Sequence, residues 1–171
     1  EVRRIDANCK IMLHNAGLSN AQWLYNELDS LDFDIIGLSY YPLWHGKDLS
    51  VIENNLHQLA QNFSKDILFA ETAYPFTLDW NDWTNNVVGW DEHLILPNYP
   101  ASPQGQKDFL LKIREMIFAT PQGIGFSYWG GEWLAYRGDT ATDGSSFENQ
   151  ALFDFDHKAL PAWEAFDLRN F

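Results

Sequence analysis

Four short apolar runs alternate along the chain with longer segments whose apolar residues recur at helical spacing. The runs cover residues 10–14, 34–39, 66–70 and 123–129, and each has the length of a strand. Their Ile, Leu and Phe content fits strands buried on both faces, as in a parallel sheet. Between them, Trp23, Leu24, Leu28 and Leu31 predict an amphipathic helix over 21–31. Ile52, Leu56, Leu59 and Ala60 predict a second over 49–63. Phe109, Leu110, Ile113, Met116 and Ile117 predict a third over 104–119, and a short helix follows around 161–166. Strand then helix, four times over, implies an α/β chain with parallel pairing and right-handed crossovers, spanning 1–171 as one domain.

The two ends of these strands differ in chemistry. Their N-terminal sides are plain, whereas every exit is polar or aromatic. His14 ends the first strand before the loop 15–17, with Ser19 or Asn20 as helix N-cap. The second exits through Tyr40, Tyr41, Pro42, Leu43, Trp44, His45 and Gly46, where proline stops the strand and glycine permits a turn. The third exits through Glu71 and Thr72 into 74–103, a stretch without periodicity that carries Trp80, Trp83, Trp90 and Tyr99. Loops this long are functional or disordered, and so many large rings argue against disorder. The fourth ends in Tyr128 and Trp129, followed by Gly130 and Gly131. Such asymmetry is the pattern of a barrel whose chemistry sits at the carboxyl ends of its strands.

Composition narrows the partners. A formal net charge of −13 disfavours nucleic acid and anionic membrane surfaces and suits a neutral ligand. No apolar run is long enough to span a bilayer, and the N-terminus has no signal-peptide pattern. The chain opens on Glu1 rather than Met, as a processed form or a fragment would. The lone Cys9 excludes an intrachain disulfide, and neither zinc-ligand spacing nor a Gly-rich phosphate loop occurs. Aromatic residues make up 16% of the chain, with 8 Trp. Rings in that number stack on the C–H faces of sugars, or build core, and both uses are expected here.

Glu71 is the candidate nucleophile, because a carboxylate at a strand exit among aromatic rings is what a glycosidase needs. A strand-end glutamate capping a turn or pairing with arginine is the plainer alternative. Tyr40 or Tyr41 is placed to hydrogen-bond Glu71 and keep it ionised, and alternation along a strand turns only one of them inward. Trp44, Trp80, Trp83 and Trp129 are candidates for sugar stacking, and His45, among the rings of its loop, is a candidate substrate contact. His14 is either a ligand contact or a hydrogen-bonded structural histidine. Glu132, after two glycines, is expected at the rim of the site.

Four motifs then occur in order: Gly37-Leu38-Ser39-Tyr40-Tyr41-Pro42, Glu71-Thr72-Ala73-Tyr74-Pro75-Phe76-Thr77, Phe126-Ser127-Tyr128-Trp129, and Glu148-Asn149-Gln150-Ala151-Leu152-Phe153-Asp154-Phe155. Together they resemble glycoside hydrolase family 53, the endo-β-1,4-galactanases that act on arabinogalactan. The resemblance implies a (β/α)8 barrel, a retaining mechanism and a Glu nucleophile ending the seventh strand, where Glu71 matches. It also implies an aromatic floor for the sugar at the end of the eighth strand, where Trp129 matches. A galactan polysaccharide or oligosaccharide is the implied partner, in the breakdown of pectin side chains. The implied location is secreted, periplasmic or cell-surface. No cofactor is implied, although some bacterial members bind calcium. Asp139, Asp143 and Ser145 offer hard oxygens at loop spacing for that ion, and a solvated turn accounts for them as well.

The chain departs from the family in having four strands, which match strands five to eight of the barrel. The family's acid/base glutamate follows an Asn at the end of the fourth strand, and no strand here offers it. The only Asn-Glu pair, Asn26-Glu27, lies inside the first predicted helix. The expectation is therefore half of a (β/α)8 barrel, inactive alone, or else an inactive carbohydrate-binding remnant. Its inner sheet face is expected to draw on Ile11, Leu13, Ile36, Leu38, Leu68 and Phe126. Each such residue left in water forfeits about 1.5–3 kcal/mol. Open strand edges add to the burden. Self-association, or completion by a missing N-terminal half-barrel, is expected to cover that surface.

Overall fold

The apolar runs form one four-stranded parallel sheet in a computed structural model that describes residues 1–167. A short helix α1 (Val2–Ile5) precedes β1 (Met12–Ala16), α2 (Ala21–Leu28) and β2 (Ile35–Tyr40). A one-turn helix α3 (Pro42–His45) and then α4 (Leu49–Asn62) lead to β3 (Asp66–Thr72). The long segment that follows holds only a 3-10 turn at Asp91–His93 before α5 (Pro103–Ala119) and β4 (Gly123–Tyr128). Two 3-10 segments, Glu148–Gln150 and Pro161–Phe166, close the described chain. Strand order is β1-β2-β3-β4 with every pair parallel, as a consecutive run of βα units requires.

Helix starts follow their capping residues. Asp48 accepts from the Ser50 backbone N–H at the head of α4, and Ser102 accepts from Gly105 N–H at the head of α5. The predicted apolar faces of both helices are buried, from Ile52, Leu56, Leu59 and Ala60 in one to Phe109, Leu110, Ile113, Met116 and Ile117 in the other. The first predicted helix ends three residues early, and its face differs. Ala21 and Tyr25, one turn apart, are its buried residues, whereas Trp23 and Leu31 are exposed. The Tyr25 hydroxyl lies 2.8 and 2.9 Å from the Leu13 and Gly37 carbonyls and so ties α2 to two strands. The last predicted helix is a 3-10 segment.

The sheet's two faces are unequal. Ile36, Leu38, Tyr40, Ile67 and Phe69 are fully buried on the face covered by the helices. Ile11, Leu13 and Phe126, expected on the inner face with Ile36 and Leu38, also pack into this cluster. Of those predicted inner residues, only Leu68 alternates to the other side. That side instead carries Met12, His14, Gly37, Ser39 and Ile124. It is mostly small or polar, with Met12 and Ile124 about two-fifths exposed. Met12 lies over Gly37, where a Cβ would stand 2.6 Å from its Sδ and oblige that side chain to move. The uncovered apolar surface is accordingly smaller than expected.

One irregularity aims the site. Leu38 pairs with Phe69, but the next residue, Ser39, pairs with Glu71. On the other side, Phe126 to Tyr128 spans two steps where Phe69 to Thr72 spans three. Both neighbours thus register one extra residue in β3, at Ala70–Glu71. Strict alternation from Ile67 and Phe69 would send Glu71 toward the helices. The bulge flips it to the inner side and leaves Thr72 buried in its place.

Candidate active site

Three consecutive strands bring their groups to Glu71. Ser39 Oγ donates to its Oε2 at 3.2 Å and the Tyr41 hydroxyl to the same oxygen at 3.0 Å. His14 Nδ1 stands 4.0 Å from Oε1, and His14 Nε2 lies 2.8 Å from Ser39 Oγ. These residues converge because 39 and 41 share a parity in β2 and its exit, and because β1 pairs in register beside β2. Burial, and after it the charge of Glu71, hold the Tyr41 phenol far above its ordinary pKa. It therefore remains a hydrogen donor to the carboxylate at any working pH.

Tyr40 does not belong to this group. Alternation turns it to the helix side, where it is fully buried between Phe69 and Phe109 and its hydroxyl donates to the Gly46 carbonyl. Ser39, which the sequence reading did not single out, joins Tyr41 beside Glu71. Its parity with Tyr41 was the available signal.

The rings at the strand exits divide. Trp44 is exposed and meets the Tyr41 ring edge-on at 5.2 Å. Trp129 is 38% exposed and receives its position from the Trp129 N–H to Thr72 carbonyl bond, one residue from Glu71. Its neighbour Tyr128 faces the opposite way, with its hydroxyl beside the Tyr74 and Gln150 carbonyls. Trp133 packs edge-on to Trp129 and, with Glu132, Tyr136 and Phe147, lines an open cleft of about 460 Å³. Trp80 and Trp83 are exposed in the loop after β3. Asp143 pairs with Arg137, and Ser145 Oγ accepts from the Phe147 N–H. Among the described residues no three His, Cys, Asp or Glu side chains cluster closely enough to hold a metal ion.

The fourth motif is scaffold for this face. Glu148 Oε1 accepts the Asn81 and Asp82 N–H groups at 2.6 and 3.3 Å. Asn149 Nδ2 donates to the Thr77 and Val88 carbonyls. The loop after β3 is thereby fastened to the loop after β4. Burial raises the Glu148 pKa, opposed by those backbone donors.

His45 locks the Tyr41 turn: its Nδ1 accepts the Tyr41 N–H at 2.9 Å, which places the ring proton on Nε2. Its ring lies against Gly17, where a Cβ would come within 2.9 Å. Burial lowers its pKa, with the charge of Glu71 opposing more weakly. Unfolded histidine takes up its proton near pH 6.5, and the folded ring only below that. Acidification through about 6.5 therefore favours the unfolded state, until both forms are protonated. Melting temperature is expected to fall as pH drops below about 6.5, with a shallower dependence in His45→Gln. Equal slopes in the two proteins would contradict this role.

Parallel βα units with polar and aromatic groups gathered at one end of the strands make up half of a (β/α)8 barrel. The model for glycosyl hydrolase family 53 matches residues 1–166, and the chain belongs to that family. It is 36% identical to an arabinogalactan endo-β-1,4-galactanase of Cellvibrio japonicus over 90% of its own length and 42% of that protein's. The GH53 catalytic domain of Ignisphaera aggregans superposes with a TM-score of 0.87 at 36% identity, over 98% of this chain and 48% of that one. A fungal β-1,4-galactanase structure superposes at 0.67 with 25% identity, again over 47% of its length. The chain spans about half the length of these relatives.

Proposed function

We propose that this chain supplies the nucleophile half of a retaining endo-β-1,4-galactanase, with Glu71 as the nucleophile. The observation that carries it is the asymmetry of the Glu71 carboxylate. Both hydroxyl donors, Tyr41 and Ser39, bind Oε2, and neither binds Oε1. A carboxylate held that way attacks an anomeric carbon through Oε1 while Oε2 becomes the carbonyl oxygen of the glycosyl ester, still hydrogen-bonded. The departing sugar oxygen needs a proton, and a second carboxyl about 5–5.5 Å from Glu71 gives it in retaining enzymes. That group belongs to the complementary half-barrel, which pairs with the open edges of β1 and β4 and covers Met12 and Ile124. In its absence those edges favour self-association of the chain. A polysaccharide substrate places the enzyme outside the cell, and among the described residues no helix is long and apolar enough to cross a membrane.

Trp129 and Trp44 give the sugar its stacking surfaces, while calcium is not required. Hydrolysis of β-1,4-galactan by the completed barrel, followed by NMR, is expected to release the β-anomer first; initial release of the α-anomer would contradict retention. Trp129→Ala is expected to weaken galacto-oligosaccharide binding by about 1–3 kcal/mol, by analogy with bases stacked on aromatic rings. Unchanged affinity in titration calorimetry would remove Trp129 from the site.

A further inference from the structure

We propose that His14 is a positioning residue for Glu71, acting through Ser39, rather than a contact for the sugar. The inference rests on Glu71 being the nucleophile. Ser39 is 4% exposed and has a single hydroxyl proton. Its two polar neighbours are Glu71 Oε2 at 3.2 Å and His14 Nε2 at 2.8 Å. A carboxylate is the stronger acceptor, so the proton goes to Glu71. Ser39 Oγ must then accept from His14, which fixes the proton of the neutral imidazole on Nε2; Nδ1 stands 4.0 Å from Oε1, beyond hydrogen-bond distance. A serine hydroxyl alone is a free rotor. With His14 donating into its lone pair, its one proton is held on the carboxylate in a directed chain from His14 to Ser39 to Glu71.

The chain matters most where charge changes on Oε2. On attack, Oε1 bonds to the anomeric carbon, the glycosidic bond breaks toward the leaving oxygen, and Oε2 loses charge. When water later attacks the anomeric carbon, its proton passes to the carboxylate of the other half, the C–Oε1 bond breaks, and charge returns to the Glu71 carboxylate, where the Ser39 and Tyr41 donors are already in place on Oε2. His14 keeps one of these two donors aimed throughout. Sugar contact would instead use the exposed edge of the imidazole and would show as binding.

Two measurements test this. In the chain alone, at alkaline pH, long-range ¹H–¹⁵N spectra of His14 are expected to show the proton on Nε2; a proton on Nδ1 overturns the proposal. In the barrel completed by an N-terminal half, inactivation by 2,4-dinitrophenyl 2-deoxy-2-fluoro-β-galactobioside separates binding from attack. Its leaving group departs without a proton, so the acid/base plays no part. His14→Ala is expected to lower the maximal inactivation rate about 10- to 100-fold with the inhibition constant unchanged. His14→Gln, whose side-chain N–H occupies the Nε2 position, should recover most of the rate. Ser39→Ala and the double variant should match His14→Ala, because the residues act in series. A raised inhibition constant at full rate, no recovery by glutamine, or additive losses would each overturn the inference. Labelling of a Glu71→Gln control would instead show that the nucleophile is elsewhere.

Discussion

Glu71→Gln in the completed barrel is expected to lower galactan hydrolysis by about 10⁴-fold or more, with oligosaccharide affinity nearly unchanged. Glutamine keeps the volume of the side chain and can still accept from Tyr41 and Ser39 through its amide oxygen. It cannot form a glycosyl ester, so the two-step route closes while the exposed rings of Trp129 and Trp44 are untouched. Initial-rate assays with parallel calorimetry separate the two quantities. Residual activity within tenfold of the parent would mean that another carboxylate attacks. Glu132 is the other carboxylate close to a strand exit, yet it lines a separate cleft with Trp133 and Tyr136.

The second large effect concerns the missing acid. The chain alone is expected to hydrolyse galactan at least about 10²–10⁴-fold more slowly than the completed barrel, the contribution that general acid catalysis supplies. Loss of the sugar-binding surface on the other half deepens the deficit. Adding an N-terminal half in trans should restore rate in proportion to complex formed, since β1 and β4 present unpaired strand edges and an inner face that is small and polar rather than greasy. Galactan hydrolysis by the purified chain at the completed barrel's rate would show that its own residues supply the acid.

Much of this was legible in the sequence. The four βα units follow from runs of strand length separated by helical spacing, and the buried faces of α4 and α5 were read residue by residue. Sequence patterns failed where geometry is set by single irregular residues. The bulge at Ala70–Glu71 has no glycine or proline to announce it, yet it alone decides which way Glu71 points. The face of α2 was misread because Trp23 looks like core, whereas the hydroxyl of Tyr25 finds carbonyl partners across the β1–β2 seam and takes the inward place. The inner sheet face was overestimated as apolar because alternation was unassigned; Gly37 and Ser39 show that it is built for close approach and polar contact. His14 was read from its place at a strand end as either a ligand contact or a structural histidine, and its hydrogen-bond partner Ser39 was hidden in a motif dominated by tyrosines.

The most direct test of the account is the site of covalent labelling. The completed barrel treated with the dinitrophenyl fluoro-galactobioside, then digested and analysed by tandem mass spectrometry, is expected to carry one fluoro-galactobiosyl group on Glu71, within the peptide that spans β3. A label on Glu132 or any other carboxylate, or full inactivation with Glu71 unmodified, would contradict it.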